Sequence, residues 1–354
     1  MQLRLLRGQV DDWMHSRSTL LGDKAEAGTA KDFLLLLRAS SADSVVLLDA
    51  HGRASYPTLP APPTMDAVAG GFAWRAARAL EIQHNFDNAA AEFSRLAASA
   101  QEPSLYARAV QSEIRCLVRG GHKKEAVATI LSRFSGERAM KATDLRGRLI
   151  LADEELFGLQ LMRRSDPRFL DVADRLAKLL NDYSSVTMPS SQRLFLMSEL
   201  KALVPDRVVF PSLAAEELAA QYLEAEDRNP GTATLEPTRI RDLWSITSSN
   251  GRVVAIYRTS TMVASINHLL EDQNSSSGAR FFVTPPGLSP PGEAIAAGPA
   301  LPGWQIAYSY VDAKAMERAA SSRLATYLWV GYLVIAAVAF TGILLGYSFR
   351  RRIG

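Results

Sequence analysis

The chain has 354 residues, of which 47% are hydrophobic and 22% charged, enough for two domains of ordinary size or one domain with a large insertion. That balance excludes wholesale disorder, a collagen-like repeat and a polytopic membrane protein. Forty Lys+Arg against 37 Asp+Glu leave a net charge of +3, too even to suggest nucleic acid as a partner, and the single cysteine, Cys116, excludes an internal disulfide and a Cys-x-x-Cys metal or redox pair.

Residues 1–38 carry apolar side chains at helical spacing: Leu3, Leu6, Val10, Trp13 and Met14, then, past a Gly/Ala-rich break, Phe33, Leu34 and Leu37. The run from Ser44 to Asp49 (SVVLLD), followed by His51, Gly52 and Arg53, reads as strand, tight turn and strand, with Gly52 supplying the backbone freedom of the turn. His51 beside Asp49 is turn chemistry on this reading, since both sit in the same tight turn. Pro57 to Pro63 (PTLPAPP) is an extended, proline-held linker.

From Phe72 to about Pro205 the period is helical and the sequence repeats itself. Ala73, Leu80, Ala89 and Phe93 are each matched 37 residues later by Val110, Leu117, Ala126 and Ile130. The openings Asn85–Phe93 and His122–Ile130 are alike, and the pattern resembles tetratricopeptide-like helical hairpins. In those, a small residue such as Ala89 or Ala126 lets paired helices approach closely, although the usual spacing is about 34. Further helices are predicted over Asp144–Met162, Asp166–Asn181, Ser190–Leu203 and Leu213–Glu226. Asp153, Glu154 and Glu155 are consecutive on one of them, fan out around it, and read as a solvated acidic face.

Strand signals return after Asn229-Pro230-Gly231. Leu243–Thr247, a Ser249-Asn250-Gly251 turn and Arg252–Arg258 predict a hairpin. Thr261–Leu270 reads as a short helix capped by Thr259 or Ser260, Arg280–Thr284 as a strand, Pro285–Pro302 as a Pro/Gly-rich excursion, and Trp304–Tyr310 as the last strand. Asp312 then opens a helix through Met316 and Ala320 to Arg323.

No charged residue lies between Arg323 and Arg350. The stretch Leu324–Phe349 is 26 residues, or about 39 Å of helix against a hydrocarbon core of about 30 Å. Tyr327, Trp329 and Tyr332 near one end and Tyr347 near the other suit aromatic belts, and Arg350, Arg351 and Arg352 follow. The positive-inside rule then puts the C-terminus in the cytoplasm and residues 1 to roughly 320 outside it. The opening residues carry no export signal, so the expectation is a piece of a longer protein whose start lies upstream. The alternative is a tail-anchored helical-repeat scaffold with its bulk in the cytoplasm. Gly342 and Gly346 form a G-x-x-x-G that permits close helix approach, the basis for expecting a homodimer.

In sequence order, Val45–Arg53 (VVLLDAHGR), Leu301–Tyr308 (LPGWQIAY) and Tyr327–Arg352 resemble the sensory half of bacterial membrane-bound histidine kinases. The resemblance implies an α+β fold: a Cache/PAS-like antiparallel sheet, interrupted by an all-α tetratricopeptide-like insert and followed by one C-terminal transmembrane helix. Its boundaries are 1–63 for the opening helix and first strands, 70–228 for the insert, 229–312 for the remaining strands, 313–323 for a connecting helix, 324–349 for the span and 350–354 for a cytoplasmic stub. It further implies a two-component signal receptor that transmits through the last helix. The family's phosphoacceptor histidine and ATP-binding boxes have no counterpart in these residues, so no catalytic role is carried over.

No G-x-G-x-x-G, P-loop, H-E-x-x-H or G-x-S-x-G occurs, and His15, His51, His84, His122 and His268 are scattered without metal-ligand spacing. The expectation is therefore no cofactor, no metal and no catalytic set. The ligand pocket is placed on the sheet near Trp244, Tyr257, Arg258 and Tyr308, where aromatics with one cation suit a small anion or carboxylate.

Overall fold

A computed structural model describes residues 2–23, 28–58, 62, 71–226, 234–277, 279–290 and 292–310. The opening elements are α1 (Gln2–Asp23), α2 (Ala30–Ser40), β1 (Ser44–Leu48) and β2 (Ala54–Tyr56). A helical stretch follows: α3 (Phe72–Ile82), α4 (Phe86–Ser99), α5 (Pro103–Arg119), α6 (Lys123–Arg133), α7 (Glu137–Met140), α8 (Ile150–Leu161), α9 (Phe169–Asn181), α10 (Ser190–Leu203) and α11 (Leu213–Ala225). The chain then runs through β3 (Glu236–Pro237), β4 (Leu243–Thr247), β5 (Val253–Arg258), α12 (Thr259–Ser277), β6 (Ala279–Thr284), β7 (Ala294–Ala296) and β8 (Gln305–Tyr310). These residues fall into two compact units, a larger one of 8–262 and 298–302 and a smaller one of 2–7, 263–297 and 303–310.

The larger unit holds an antiparallel sheet in the order β2-β1-β5-β4-β3. Its central strands, SVVLL and VVAIY, are apolar on both faces because both faces are covered, so the period-2 signal of a half-exposed strand is absent. Val46 pairs with Val254 and Ser44 with Ile256, which sets one face. Leu218 and Ala219 of α11 pack on that face against Val46, Leu48, Leu243, Val254 and Ile256, and Ser44 Oγ donates to the carbonyl of Ala215 at 2.6 Å. The other face lies under α1 and α2: Ser18 Oγ donates to the Thr247 carbonyl at 3.3 Å, and Asn250 Nδ2 to that of Gly22 at 2.8 Å. The Asn250-Gly251 turn of the β4–β5 hairpin falls where its sequence placed it, with Gly251 at φ +69.

The 37-residue repeat is written into the backbone as well as the side chains. Asn85 N donates to the Leu80 carbonyl and His122 N to that of Leu117. His84 N bonds Glu81 as Gly121 N bonds Val118, and Ala89 N bonds Asn85 as Ala126 N bonds His122. His84 and Gly121 occupy the same left-handed position, at φ +58 and +88. Ala89, Phe93, Ala126 and Ile130 are all buried between the helices.

The smaller unit has its own antiparallel sheet, β6-β8-β7, with Trp304 wholly buried and Asn267 Oδ1 accepting from the Val283 amide at 2.9 Å.

The expected fold class is corrected here. The chain is α+β, but strands 44–56 and 243–258 share one sheet while 279–310 form another, so the single Cache/PAS-like sheet does not exist. Two sheets arise because β5 finds both neighbours, β1 and β4, within the larger unit, and β8 is flanked by β6 and β7. Strand β7, inside the Pro/Gly-rich excursion, escaped the sequence pattern. Among the described residues no helix is long and apolar enough to cross a membrane. The segments 313–323, 324–349 and 350–354, with Gly342 and Gly346, lie outside the described residues.

Two further expectations change. The helix predicted from Asp144 begins at Ile150, because Thr143 and Leu149 bridge across a turn whose Asp144 Oδ1 accepts from the amides of Arg146 and Arg148. On that helix Glu154 and Glu155 are 5% and 2% exposed, not solvated. Gln111 Nε2 donates to Glu154 at 2.8 Å and Arg175 Nε to Glu155 at 2.5 Å.

Candidate functional site

In the larger unit the sheet and the α10–α11 pair enclose a cavity of about 710 Å³. Its floor is Val46, Leu48 and Val254, alternate residues of β1 and β5 that the pleat turns to one side. Leu194 and Phe195 of α10 and Ala220 and Leu223 of α11 form the facing wall. Phe195 is an exposed aromatic at this site. The mouth is tied by paired bonds, Thr58 N to Ser190 Oγ at 2.8 Å and Ser190 N to the Thr58 carbonyl at 3.0 Å.

One edge of the cavity is the Asp49–Arg53 turn. Asp49 Oδ1 accepts from the amides of His51 and Arg53 at 2.8 and 2.9 Å, and its Oδ2 lies 3.1 Å from Arg53 Nε. The amide of Arg53, foremost among these donors, holds the Asp49 carboxyl below its ordinary range. Gly52, at φ +73, closes the turn.

The inner wall carries Glu216, which is 1% exposed. Its Oε1 accepts from the Tyr56 hydroxyl and from the Tyr183 hydroxyl, the latter at 2.8 Å. Tyr183 Oη also lies 2.8 Å from Ser212 Oγ, which donates to it if the tyrosine proton goes to Glu216. Among the described residues Glu216 Oε2 has no hydrogen-bond partner. Burial pushes this carboxyl upward against the tyrosine hydrogen bonds and the charge of Arg193, favouring the neutral acid. Arg193 is buried beside the group, donates to the carbonyls of Leu180 and Val186, and stacks 4.2 Å from the Tyr183 ring centroid. Four acids, Asp49, Glu216, Glu224 and Glu226, line the cavity, with Arg53 the one cation among its described lining residues.

The sequence-predicted site falls elsewhere. Trp244 and Tyr257 do meet, as register partners on β4 and β5, but on the opposite face of the sheet from the cavity. Trp244 Nε1 donates to Thr259 Oγ1 at 2.9 Å, and the buried Tyr257 hydroxyl reaches the Ser40 carbonyl of α2 at 3.4 Å. Arg258 is exposed at the strand end, its amide donating to Asp43 Oδ2 at 2.7 Å. Tyr308 stands on β8 of the separate sheet, its hydroxyl donating to Glu293 Oε2 at 2.6 Å. Sequence reading missed Glu216, though a signal was present: it lies four residues after Ser212 and three before Ala219, on the apolar stripe of α11.

Among the described residues no group of three or more His, Cys, Asp or Glu is placed to hold a metal ion. Comparison with known proteins finds no counterpart: no family model, no curated protein and no solved structure matches this chain.

Proposed function

We propose that the chain is the ligand-receiving region of a membrane-attached signalling receptor of the histidine-kinase kind, and that the cavity over β1 and β5 receives the signal. The observation that carries this reading is a 710 Å³ space with an apolar floor and a buried carboxyl, Glu216, in its wall. Small-molecule sites have this size and this mixture of apolar surface with a few placed polar groups. Beside the neutral Glu216, the acids Asp49, Glu224 and Glu226 outnumber Arg53, so the ligand is an apolar molecule bearing a cationic or hydrogen-bond-donating head, not the small anion the sequence suggested. Strands β1 and β5 are the cavity floor on one face and lie under α1 and α2 on the other. A ligand that moves them biases the packing of the opening helices one layer away.

Calorimetric titration of the full chain with hexylamine, hexanol and hexanoate tests the site. The amine binds best, and Ala220→Trp, which fills the cavity from α11, abolishes binding. Phe195→Ala, at an exposed wall residue, weakens it without unfolding the protein. Absence of binding, or binding indifferent to both variants, overturns the proposal. Attachment to the inner membrane, the extracytoplasmic placement of the bulk and the homodimer belong to the same proposal and rest on the sequence of residues 324–349. Protease added to spheroplasts cleaves the bulk if it lies outside, and protection contradicts that placement.

A further inference from the structure

A second cavity, of about 470 Å³, lies among α3, α4 and α5 and has the opposite chemistry. Its described lining residues include four arginines, Arg78, Arg108, Arg115 and Arg119, and one carboxylate, Glu81. The clustering follows from helix arithmetic. Residues 108, 115 and 119 are seven and four apart, so α5 stacks them on one face, with Gln111 and Ser112 between them.

Three of these guanidinium groups, those of Arg108, Arg115 and Arg119, are held by contacts within the site. Glu81 Oε1 accepts from Arg115 Nε at 2.7 Å and from Arg119 Nη1 at 2.9 Å, while its Oε2 accepts from Arg115 Nη2 at 2.8 Å. The Arg115 hydrogen bond leads in holding the Glu81 carboxyl below its usual range, so it stays charged as the anchor of both arginines. The Arg108 guanidinium lies 5.5 Å from the Trp74 ring centroid, and Trp74 meets Phe93 edge-on at 5.4 Å beneath the arginines. Gln111 is fixed from behind by Glu154. Guanidinium groups clustered beside Glu81 cost Coulomb energy, which an anion in the cavity offsets. Guanidinium groups held in fixed planes match the oxygens of phosphate and carboxylate groups in pairs.

We infer that this cavity binds a small multivalent anion, a phosphate ester or a di- or tricarboxylate, at a site separate from the receptor cavity. The volume suits a small molecule, and three helices bound it.

Titration calorimetry of the full chain at constant ionic strength, with sodium pyrophosphate and with trisodium citrate as probes, decides the matter. The expected result is saturable one-to-one binding with a sub-millimolar Kd. The tighter of the two probes tells whether phosphate or carboxylate is the preferred chemistry. Arg78→Gln and Arg108→Gln each weaken binding by about fivefold or more, while Arg53→Gln, at the other cavity, changes nothing. Arg78 is exposed, so its variant keeps the wild-type circular dichroism and melting curve, and the comparison is free of misfolding. No saturable heat with either probe, or equal binding by wild type and both arginine variants, overturns the inference. So does a hexaglutamate peptide that binds more than about tenfold tighter than citrate, since the site would then read a polypeptide.

Discussion

Glu81 and Glu216 are both at least nine-tenths buried, yet the chain uses them in opposite ways. Glu81 faces Arg115 and Arg119 and is held ionised. Glu216 accepts from two tyrosine hydroxyls and is pushed by burial toward the neutral acid. At Glu216 burial outweighs every partner that would keep the carboxyl charged, whereas at Glu81 the Arg115 hydrogen bond outweighs burial. The surroundings differ in the same sense. One cavity is a polar arginine-lined space on a helix face, and the other an apolar space over a sheet, edged with acids.

The largest expected effect is at Glu216. Glu216→Ala strips the acceptor from two buried tyrosine hydroxyls and opens a void, and should lower stability by about 2–4 kcal/mol in urea denaturation. Glu216→Gln keeps a neutral acceptor of the same shape and should cost less than about 1 kcal/mol. A Glu216→Gln loss well above 1 kcal/mol would contradict a neutral acid here and erase the contrast with Glu81.

A pH test on Glu154 comes next. Burial raises this carboxyl to about 7 from an ordinary 4.5, opposed by the Gln111 hydrogen bond, with Asp153 adding to the rise and Arg115 reducing it. Below about pH 4.5 the group is protonated in both states. Between there and 7 the folded chain holds a proton that the unfolded chain has lost, so stability falls as pH rises through this window. The whole effect is on the order of 3 kcal/mol. Glu154→Gln, which still accepts from Gln111, should flatten the slope between pH 5 and 8 in thermal melts. A variant with the wild-type slope would show that Glu154 is charged in the fold.

Glu81 should behave with the opposite sign and a smaller size. Its lowered carboxyl contributes stability above the ordinary carboxylate range that is lost on acidification. Because Arg115 and Arg119 are exposed, Glu81→Gln should cost only about 1 kcal/mol by chemical denaturation. A loss as large as that of Glu216→Ala would mean that the arginine cluster is a core feature and not a surface prepared for an anion.

The smallest expected effect tests the two repeats against each other. His84 carries a side chain at the left-handed position that Gly121 fills in the next unit. His84→Gly should raise stability by about 0.5 kcal/mol, seen as a small upward shift in melting temperature. A decrease would show that the His84–Phe86 ring contact outweighs the backbone strain.

What could be read from the sequence depended on how local the cause was. The 37-residue repeat, the Asp49–Arg53 turn and the Asn250-Gly251 hairpin were legible because each is fixed by nearby residues and their backbone bonds. The face of the sheet was not legible. VVLL and VVAIY are apolar at every position, so nothing in them tells Val254 from Tyr257, and the aromatics drew the expected site to the side packed under α1 and α2. The acids of α8 misled for a related reason. Three in a row must fan around the helix, and partners 20 and 43 residues away, Arg175 and Gln111, decided that two of them point inward. The arginine face of α5 stood at spacings of seven and four in the sequence, but only its junction with Glu81 of α3 makes it a site.

Hydrogen–deuterium exchange of the full chain, with and without hexylamine, tests the receptor cavity most directly. The account predicts slower exchange in β1, β5 and α11, with α4 and α5 unchanged. Protection confined to α3–α5, or none anywhere, would contradict it.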